Sequence, residues 1–490
     1  MIQMSLKWGV IMSQEISEIG KILEKHHYSM TSVLVETAQT FKLRSIVRNA
    51  GFEKQQGYSV VEIMTLMMLL PFLLVNSVHN LFVSDFKRIT EMKKDTIYRL
   101  KNNELVPWRS ILYGVVKRFQ TLTNPQKTVA PNSAFVVDDT TDSRVGSKIE
   151  KVSFVYDHVA GQKGSKLGFK HLMLGWFDGT SFVPLDFSIH AEKPLRGKHR
   201  KAQYQKDCRP GSPGATRRKE CSTDKISQAI TMIKRAVKHG VKARYVLADS
   251  WFSSKGFIQA IRQIKQQAMH VVCGVRKDKR KYGYQGTTLD AQGLLARLKQ
   301  AGNASRCRRL NTRYFEVLVQ YEGVGEVKLY FCRFPYAKEW RLFLSTDTSL
   351  SFVKMMELYT TRWTIEVFFK EMKQHLRLGR CQSRDFDAQI AHLTVSCIVY
   401  IFLAYLRRVE AYESLGRLFE GIVAELREKN VAERLWALFE ELLQAVLSAV
   451  ADSGPMDLQQ FQRSPQYAAL KDLFEGSFLG RQLQSLNTVA

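Results

Sequence analysis

The sequence predicts a mixed α/β protein in which helical N- and C-terminal regions flank a central sheet. From Met1 to about Lys127, apolar residues recur at three- and four-residue spacing, which is typical of helices. The β-branched run Ala134–Val137 then opens a region in which short apolar strands alternate with amphipathic helices. The chain has 490 residues, more than one hydrophobic core usually holds, so we expect several domains.

The charge balance indicates the class of partner. The chain carries 73 Lys and Arg residues against 46 Asp and Glu residues, and this net charge of +27 attracts polyanions from a distance. Residues 401–490 hold 9 basic and 12 acidic side chains, so the basic excess lies in the first 400 residues. We therefore expect the chain to bind nucleic acid through its first 400 residues.

Cysteine content and hydropathy argue against two other classes of protein. The seven cysteines are odd in number and form no Cys-x-x-Cys pair, which predicts neither a disulfide framework nor a zinc ribbon and fits a reducing cytoplasm. The most apolar run, Ile63–Val75, has 13 residues and contains Pro71, whereas a membrane span needs about 20. We interpret this run as a buried helix and expect no membrane role.

The central region is predicted to begin with three strands. Ala134–Val137 ends at the acidic pair Asp138 and Asp139, and two further apolar stretches follow at Leu167–Trp176 and Phe182–Ile189. An Asp-Gly pair between these two stretches is a strong signal for a hairpin turn.

Helix and strand then alternate. The basic segment Ala191–Lys225 carries 11 Lys or Arg residues and is predicted to be a surface loop. An amphipathic helix at Ile226–His239 leads to the strand Ala243–Ala248 and to Asp249, and a second helix and strand end near residue 273. Because the carboxyl ends of neighbouring parallel strands open into one crevice, Asp139 and Asp249 are expected to meet there.

The remaining segments complete the predicted architecture. Residues 276–345 contain three strand-like runs, whereas Ser351–Gln374 and the segments that follow, including the Leu-rich Ala432–Val450, have helical periodicity. Near the N-terminus, Lys93–Lys101 predicts a short helix rich in Lys, Arg and Tyr. Such a helix either enters a DNA groove or is an ordinary solvated helix, and its pattern does not separate the two.

One helix face carries a distinctive set of polar residues. Tyr359, Arg362, Glu366 and Lys373 lie at offsets of 0, 3, 7 and 14, so at about 100° per residue they share one face of the Ser351–Gln374 helix. A solvated face with an i,i+4 ion pair would give part of the same pattern.

The four positions match the Tyr-Arg-Glu-Lys signature of the insertion-sequence-four family of DDE transposases, which the chain resembles. Residues 362–366 read Arg-Trp-Thr-Ile-Glu, similar to the core of that signature, and residues 139–141 read Asp-Thr-Thr, similar to its first acidic motif. The resemblance spans about residues 131–400. It implies a ribonuclease H-like catalytic core at 131–275 and 346–400, interrupted by a β-rich insertion subdomain at 276–345.

The expected roles of the two flanking regions rest on their helical periodicity, charge and leucine content. Residues 1–130 are expected to form a helical N-terminal DNA-binding domain, and residues 401–490 a helical C-terminal region that is a candidate for dimerisation.

The resemblance also implies roles for individual residues. Asp139, Asp249 and Glu366 would be the catalytic carboxylates and would hold two Mg²⁺ or Mn²⁺ ions, since hard oxygen ligands favour such metals. Asp138 is the alternative to Asp139, because side chains alternate across a strand and only one of the two should face the metals. The DNA-binding residues would be Tyr359, Arg362 and Lys373, together with Trp340, for which a core position is the competing interpretation.

The function implied is that of a bacterial insertion-sequence transposase. It would cleave DNA at the element ends and transfer the 3′ hydroxyl into target DNA, acting in the cytoplasm on double-stranded DNA as a homodimer. The alternatives are a nuclease of the same fold that does not transfer strands, and a catalytically inactive DNA-binding derivative of a transposase.

Overall fold

The structure is a computed structural model. It describes residues 33–54, 56–75, 77–84, 90–157, 164–192, 204–265, 268–335, 337–409, 414–424, 426, 463 and 465–475. Residues Val33–Phe419 form one compact unit, and Met1–Ser32 together with Glu420–Ala490 form another. The predicted domain boundaries near residues 130, 275, 345 and 400 stay predictions. The predicted helix at Ala432–Val450 lies outside the described residues.

The described N-terminal region is helical, as its periodicity predicts. Its helices are α1 (Val33–Thr40), α2 (Leu43–Asn49), α3 (Val60–Leu69), α4 (Val78–Val83), α5 (Lys94–Lys101) and α6 (Trp108–Thr123). A capping box starts α3, in which Ser59 and Glu62 satisfy each other's backbone amides. The apolar run that contains α3 is buried, with Ile63 and Met64 fully inside the protein.

The first strands belong to one mixed sheet. They are β1 (Ala134–Ser143), β2 (Ser153–Asp157), β3 (Gly164–Phe177), β4 (Phe182–His190), β5 (Tyr245–Ala248) and β6 (His270–Val275). β4 pairs with β3, β3 runs antiparallel to β1, and β5 and β6 follow on the other side of β1 in parallel. The order β4-β3-β1-β5-β6, with three antiparallel strands followed by two parallel ones, is that of a ribonuclease H-like core. The predicted fold class is confirmed.

The β-rich segment extends this same sheet. It comprises β7 (Lys281–Tyr284), β8 (Thr287–Asp290), β9 (Ser305–Cys307), β10 (Thr312–Tyr321), β11 (Gly325–Arg333) and β12 (Arg341–Ser345), with the helix α10 (Ala291–Ala301) between β8 and β9. β12 pairs antiparallel with β6, so that Leu342 lies opposite Val275. The insertion therefore follows β6 in sequence, and its last strand, β12, returns to pair with β6.

Further helices complete the unit Val33–Phe419. They are α7 (Pro213–Glu220), α8 (Lys225–Lys238), α9 (Lys255–Arg262), α11 (Phe352–Thr360), α12 (Trp363–Gln374) and α13 (Phe386–Val409). The helix α14 (Pro465–Glu475) belongs to the other unit. Among the described residues, α13 is long and apolar enough to cross a membrane by length and composition. Because 89% of its most apolar window is buried inside the protein, α13 is a core helix in this fold.

Two local predictions are wrong. The segment Ala191–Lys225 was expected to be a surface loop because of its charge, but its described part contains α7, in which Arg217 and Arg218 are buried. The expected single helix Ser351–Gln374 is divided into α11 and α12, with Thr361 and Arg362 at the junction. In α7, buried carboxylates compensate the arginines, a pairing that local composition does not reveal.

One buried ionic cluster ties β4 to three helices. Asp186 of β4 is fully buried, and its carboxylate pairs with Arg109 of α6, Arg217 of α7 and Arg235 of α8. Burial alone would raise the pKa of Asp186, but the three arginines outweigh it and hold this pKa below its usual range. Glu220 binds the same arginines, which keeps the cluster close to charge balance.

Candidate active site

The sheet register sets Asp138 and Asp249 at the same level. β1 and β5 run parallel, and Val137 is the partner of Ala248. Asp138 and Asp249 each follow by one residue, so both side chains project from the same face of the sheet at the carboxyl end of β5. The Asp249 carboxylate also accepts the backbone amide of Trp251 at 2.8 Å and thereby caps a single 3₁₀ turn.

Helix α12 adds the third carboxylate through an arginine. One guanidinium nitrogen of Arg362 donates to Asp138 at 2.8 Å, and another donates to Glu366 at 2.5 Å. The bridge joins the middle of β1 to the first turn of α12, which are 224 residues apart in sequence. The side chain of Arg362 is only 14% exposed, so its guanidinium is largely shielded from solvent.

Electrostatics place Asp138 in a crowded acidic environment. Burial raises the pKa of Asp138 to about 7, and the negative charges of Asp249 and Asp139 add to this rise, whereas Arg362 opposes it. Carboxyl groups that share a site repel one another unless a cation lies among them. In this conformation the guanidinium of Arg362 is that cation.

Asp139 points to the other face of β1. Its carboxylate accepts a hydrogen bond from Lys225 at 2.5 Å and lies 4.0 Å from the ammonium of Lys170. Thr141, the next residue on that face, accepts from the same lysine at 2.8 Å. Asp139 is the residue that the sequence analysis favours. In the structure, however, Asp138, the alternative, is the one that bonds to Arg362, which also bonds to Glu366. The assignment of the β1 ligand stays a prediction.

The remaining signature residues lie around the same crevice. The ring of Tyr359 packs edge-on against Phe343 at 4.7 Å, and the guanidinium of Arg362 lies 5.7 Å from its centre. Burial raises the pKa of Tyr359, and the charge of Asp249 adds to the rise, so this phenol lies close to the acidic group. Lys373 donates to Thr140 at 2.7 Å, on the Asp138 face of β1.

Glycine at position 274 allows this close packing. A Cβ atom built there would lie 3.2 Å from the hydroxyl of Tyr359 and 3.5 Å from the backbone nitrogen of Ser250. The first contact is tighter than most Cβ contacts and the second is an ordinary one, so glycine at residue 274 lets β6 approach the Tyr359 hydroxyl without a shift.

An open cleft of about 1180 Å³ extends from Asp249, Tyr359 and Arg362 toward the insertion. Trp340 lines it, tilted against Phe315 at 5.3 Å between ring centres. Trp340 thus lines the same cleft as Asp249, and its role in DNA binding stays a prediction.

Sequence reasoning missed several polar and aromatic residues near the site. Trp363 is 61% exposed and lines the cleft with Arg276, Lys277 and Lys338, and Lys170 and Lys225 hold Asp139. The position of Trp363 within the motif at 362–366 was the one available signal. The lysines and Arg276 come from unrelated segments, and only folding brings them together.

The donor set suits hard divalent cations, but not in the present arrangement. Among the described residues, the one group of metal-ligating side chains with all donor atoms within 4.8 Å of one another is Glu104, Cys208 and Asp387. The oxygens of Asp138, Asp249 and Glu366 are therefore farther apart, and the guanidinium of Arg362 separates two of them. Carboxylate oxygens are the donors that Mg²⁺ and Mn²⁺ prefer, and Arg362 must leave its position before an ion can lie between Asp138 and Glu366.

Two protein-family models match parts of the chain. Residues 215–402 match a model described as Transposase DDE domain. Residues 91–292 match a model described as DDE superfamily endonuclease. These two parts of the chain are therefore similar to DDE domains. The first match includes Asp249, Arg362 and Glu366, and the second includes Asp138, Asp139 and Asp249. No curated protein matches the chain.

Proposed function

We propose that the protein is a DNA transposase of the insertion-sequence-four family, with Asp138, Asp249 and Glu366 as its metal-binding carboxylates. The observation that carries this proposal is that Arg362 bridges Asp138 and Glu366. Asp249, which follows β5, lies at the same level of the sheet as Asp138 of β1. A DDE domain and a charge of +27 support DNA as the substrate.

Divalent ions, when bound, would activate the attacking oxygen and neutralise the leaving one, so the same carboxylates can serve both strand cleavage and strand transfer. Arg362, once released from Asp138 and Glu366, can donate two parallel hydrogen bonds to a phosphate. Tyr359 and Lys373 lie on either side of it and can hold neighbouring phosphates by a hydroxyl and an ammonium donor. The lysine pair around Asp139 keeps that carboxylate away from the crevice.

We further propose that the protein works in the bacterial cytoplasm on the nucleoid. A homodimer, with residues 401–490 as a dimerisation region and residues 1–130 as a DNA-binding region, would hold two element ends together.

The test uses the full-length protein, a duplex with the native element end, and Mg²⁺ or Mn²⁺. We expect cleavage at the element boundary and joining of a pre-cleaved end to a plasmid. Asp249→Asn and Glu366→Gln should each reduce cleavage by about a hundredfold or more while DNA binding persists. Cleavage without joining would indicate a nuclease of the same fold, and DNA binding without either activity would indicate an inactive derivative.

The matched pair Asp138→Asn and Asp139→Asn tests the choice of ligand, because the two changes are chemically identical. We expect loss of cleavage in the first and substantial residual cleavage in the second. The reverse result would return the ligand role to Asp139.

A further inference from the structure

A second cavity lies among α3, α4, α5, α13 and the segment between α12 and α13. Its volume is about 370 Å³, within the usual range of about 300 to 1,000 Å³ for small-molecule sites. Lys101, Arg377, Arg380 and Arg384 line it together with Tyr98. We refer to it as the anion pocket.

The charge of the anion pocket is one-sided. Four cationic side chains line it, and no Asp or Glu is among its lining residues in the described part of the chain. Arg380 and Arg384 are exposed at its mouth. Burial lowers the pKa of Arg377, and the charge of Arg380 lowers it further, as expected for two cations that no anion separates.

Lys101 supplies an independent observation. The residue is buried, with only 8% of its surface exposed. Among the described residues, its ammonium contacts the sulfur of Cys381 at 3.9 Å. A thiol compensates an ammonium poorly, and buried charges are normally paired. Burial lowers the pKa of the neighbouring His392 to about 3, and the charge of Lys101 lowers this pKa further. The imidazole therefore stays neutral and adds no charge to the pocket.

Part of the lining of the anion pocket is apolar. Val78 of α4 and Val395 and Val399 of α13 lie on it, and the ring of Tyr98 stands beside it. A bare phosphate ion would fill only part of such a space, since each water molecule occupies about 30 Å³ of liquid. The combination suits an anion attached to a flat apolar body, and stacking of a base on an aromatic ring contributes about 1 to 3 kcal/mol in other proteins.

We propose that the anion pocket binds a nucleoside phosphate, with the phosphate between Lys101 and Arg380 and the base against Tyr98 and the apolar wall. The nucleotide comes either from solution or from a single-stranded DNA segment, because both present the same group. This site is separate from the carboxylates of the DDE domain and does not require them.

The test measures binding of deoxyadenosine monophosphate to the full-length protein by equilibrium dialysis at low and at physiological salt. We expect saturable binding that Arg380→Ala and Lys101→Met each weaken by about tenfold or more, the ratio that corresponds to losing one charge-assisted hydrogen bond. The matched control is Arg306→Ala, which removes an exposed arginine of β9 outside the pocket and should bind like the wild type. Arg380→Ala keeps the test valid if Lys101→Met does not fold, because Arg380 is exposed.

Two results would overturn the proposal. One is equal affinity of the wild type and Arg380→Ala for the nucleotide, and the other is inorganic phosphate that competes as well as the nucleotide does. A 5′-phosphorylated trinucleotide distinguishes the sources, since tighter binding than the mononucleotide supports a DNA strand and weaker binding supports a free nucleotide. Asp249→Asn should leave nucleotide binding unchanged, so failure of the transposase proposal would not affect this one.

Discussion

Arg362 is predicted to compete with divalent metal ions for the same carboxylates. Its guanidinium bonds to Asp138 and Glu366, and it must leave both before ions can occupy the site. The substitution Arg362→Gln removes the competing charge and keeps a polar side chain. We therefore expect Arg362→Gln to bind metal more tightly than the wild type in the absence of DNA, while cleaving DNA more slowly.

The magnitude follows from the two hydrogen bonds. Hydrogen bonds to charged groups contribute about 1.5 to 3 kcal/mol each in proteins. The side chain of Glu366 is 33% exposed, and solvent screens its pair with Arg362, so most of the effect comes from Asp138, which is 19% exposed. A total of about 1.5 to 3 kcal/mol corresponds to metal binding tighter by about tenfold to a hundredfold.

Titration of the DNA-free protein with Mn²⁺, followed by calorimetry, measures this affinity directly. The control is Arg341→Gln, which removes the same charge from the lining of the cleft at a residue whose recorded contact is with the ring of Phe334. Any general effect of net charge will be the same in both variants. A folded Arg362→Gln protein whose Mn²⁺ affinity equals or falls below that of Arg341→Gln would refute the competition.

Three further predictions concern stability and positioning. Asp186→Asn should lower the free energy of unfolding by about 3 to 5 kcal/mol in urea denaturation, because it leaves three arginines around the single carboxylate of Glu220. Glu322→Gln, at an exposed carboxylate, should change it by less than about 0.5 kcal/mol. Burial lowers the pKa of His171 to about 4, below its unfolded value near 6.5, so the unfolded chain takes up a proton first and stability falls as pH drops from about 6.5 toward 4, by at most about 3 kcal/mol. His171→Asn should flatten that part of the stability profile, and an unchanged slope would contradict the assignment. Gly274→Ala should displace the Tyr359 hydroxyl by a few tenths of an ångström. We expect cleavage to slow about threefold to tenfold, with little change in melting temperature. Cleavage at the wild-type rate would show that the position of Tyr359 does not matter for the reaction.

The order of strands and helices in the central region could be predicted from sequence because burial imposes a period on each element. The apolar runs at Ala134–Val137, Leu167–Trp176 and Phe182–Ile189 correspond to β1, β3 and β4. The position of Asp249 directly after β5 was also readable, since the strand before it is continuously apolar. Strand β2 and helix α7 were missed because charged or mixed compositions mask their periodicity.

The active site shows the limit of such reasoning. Consecutive strand residues point to opposite faces, so the sequence determined that only one of Asp138 and Asp139 can reach the metal crevice. The tertiary structure brings Asp138 next to Arg362, which also bonds to Glu366, while the choice between Asp138 and Asp139 as metal ligand stays a prediction. The sequence also placed Tyr359, Arg362 and Glu366 on neighbouring helical turns. Although the helix is divided into α11 and α12, Arg362 still contacts both Tyr359 and Glu366.

The sequence by itself determined the fold class, the positions of the strand-end carboxylates and the basic character of the chain, because these depend on local periodicity and composition. Only the tertiary structure decided that the insertion continues the core sheet through β12, that Arg217 and Arg218 are buried, and that the anion pocket exists. Each of these joins segments far apart in the chain. Such contacts depend on the packing of whole elements against one another, which no local pattern of residues specifies.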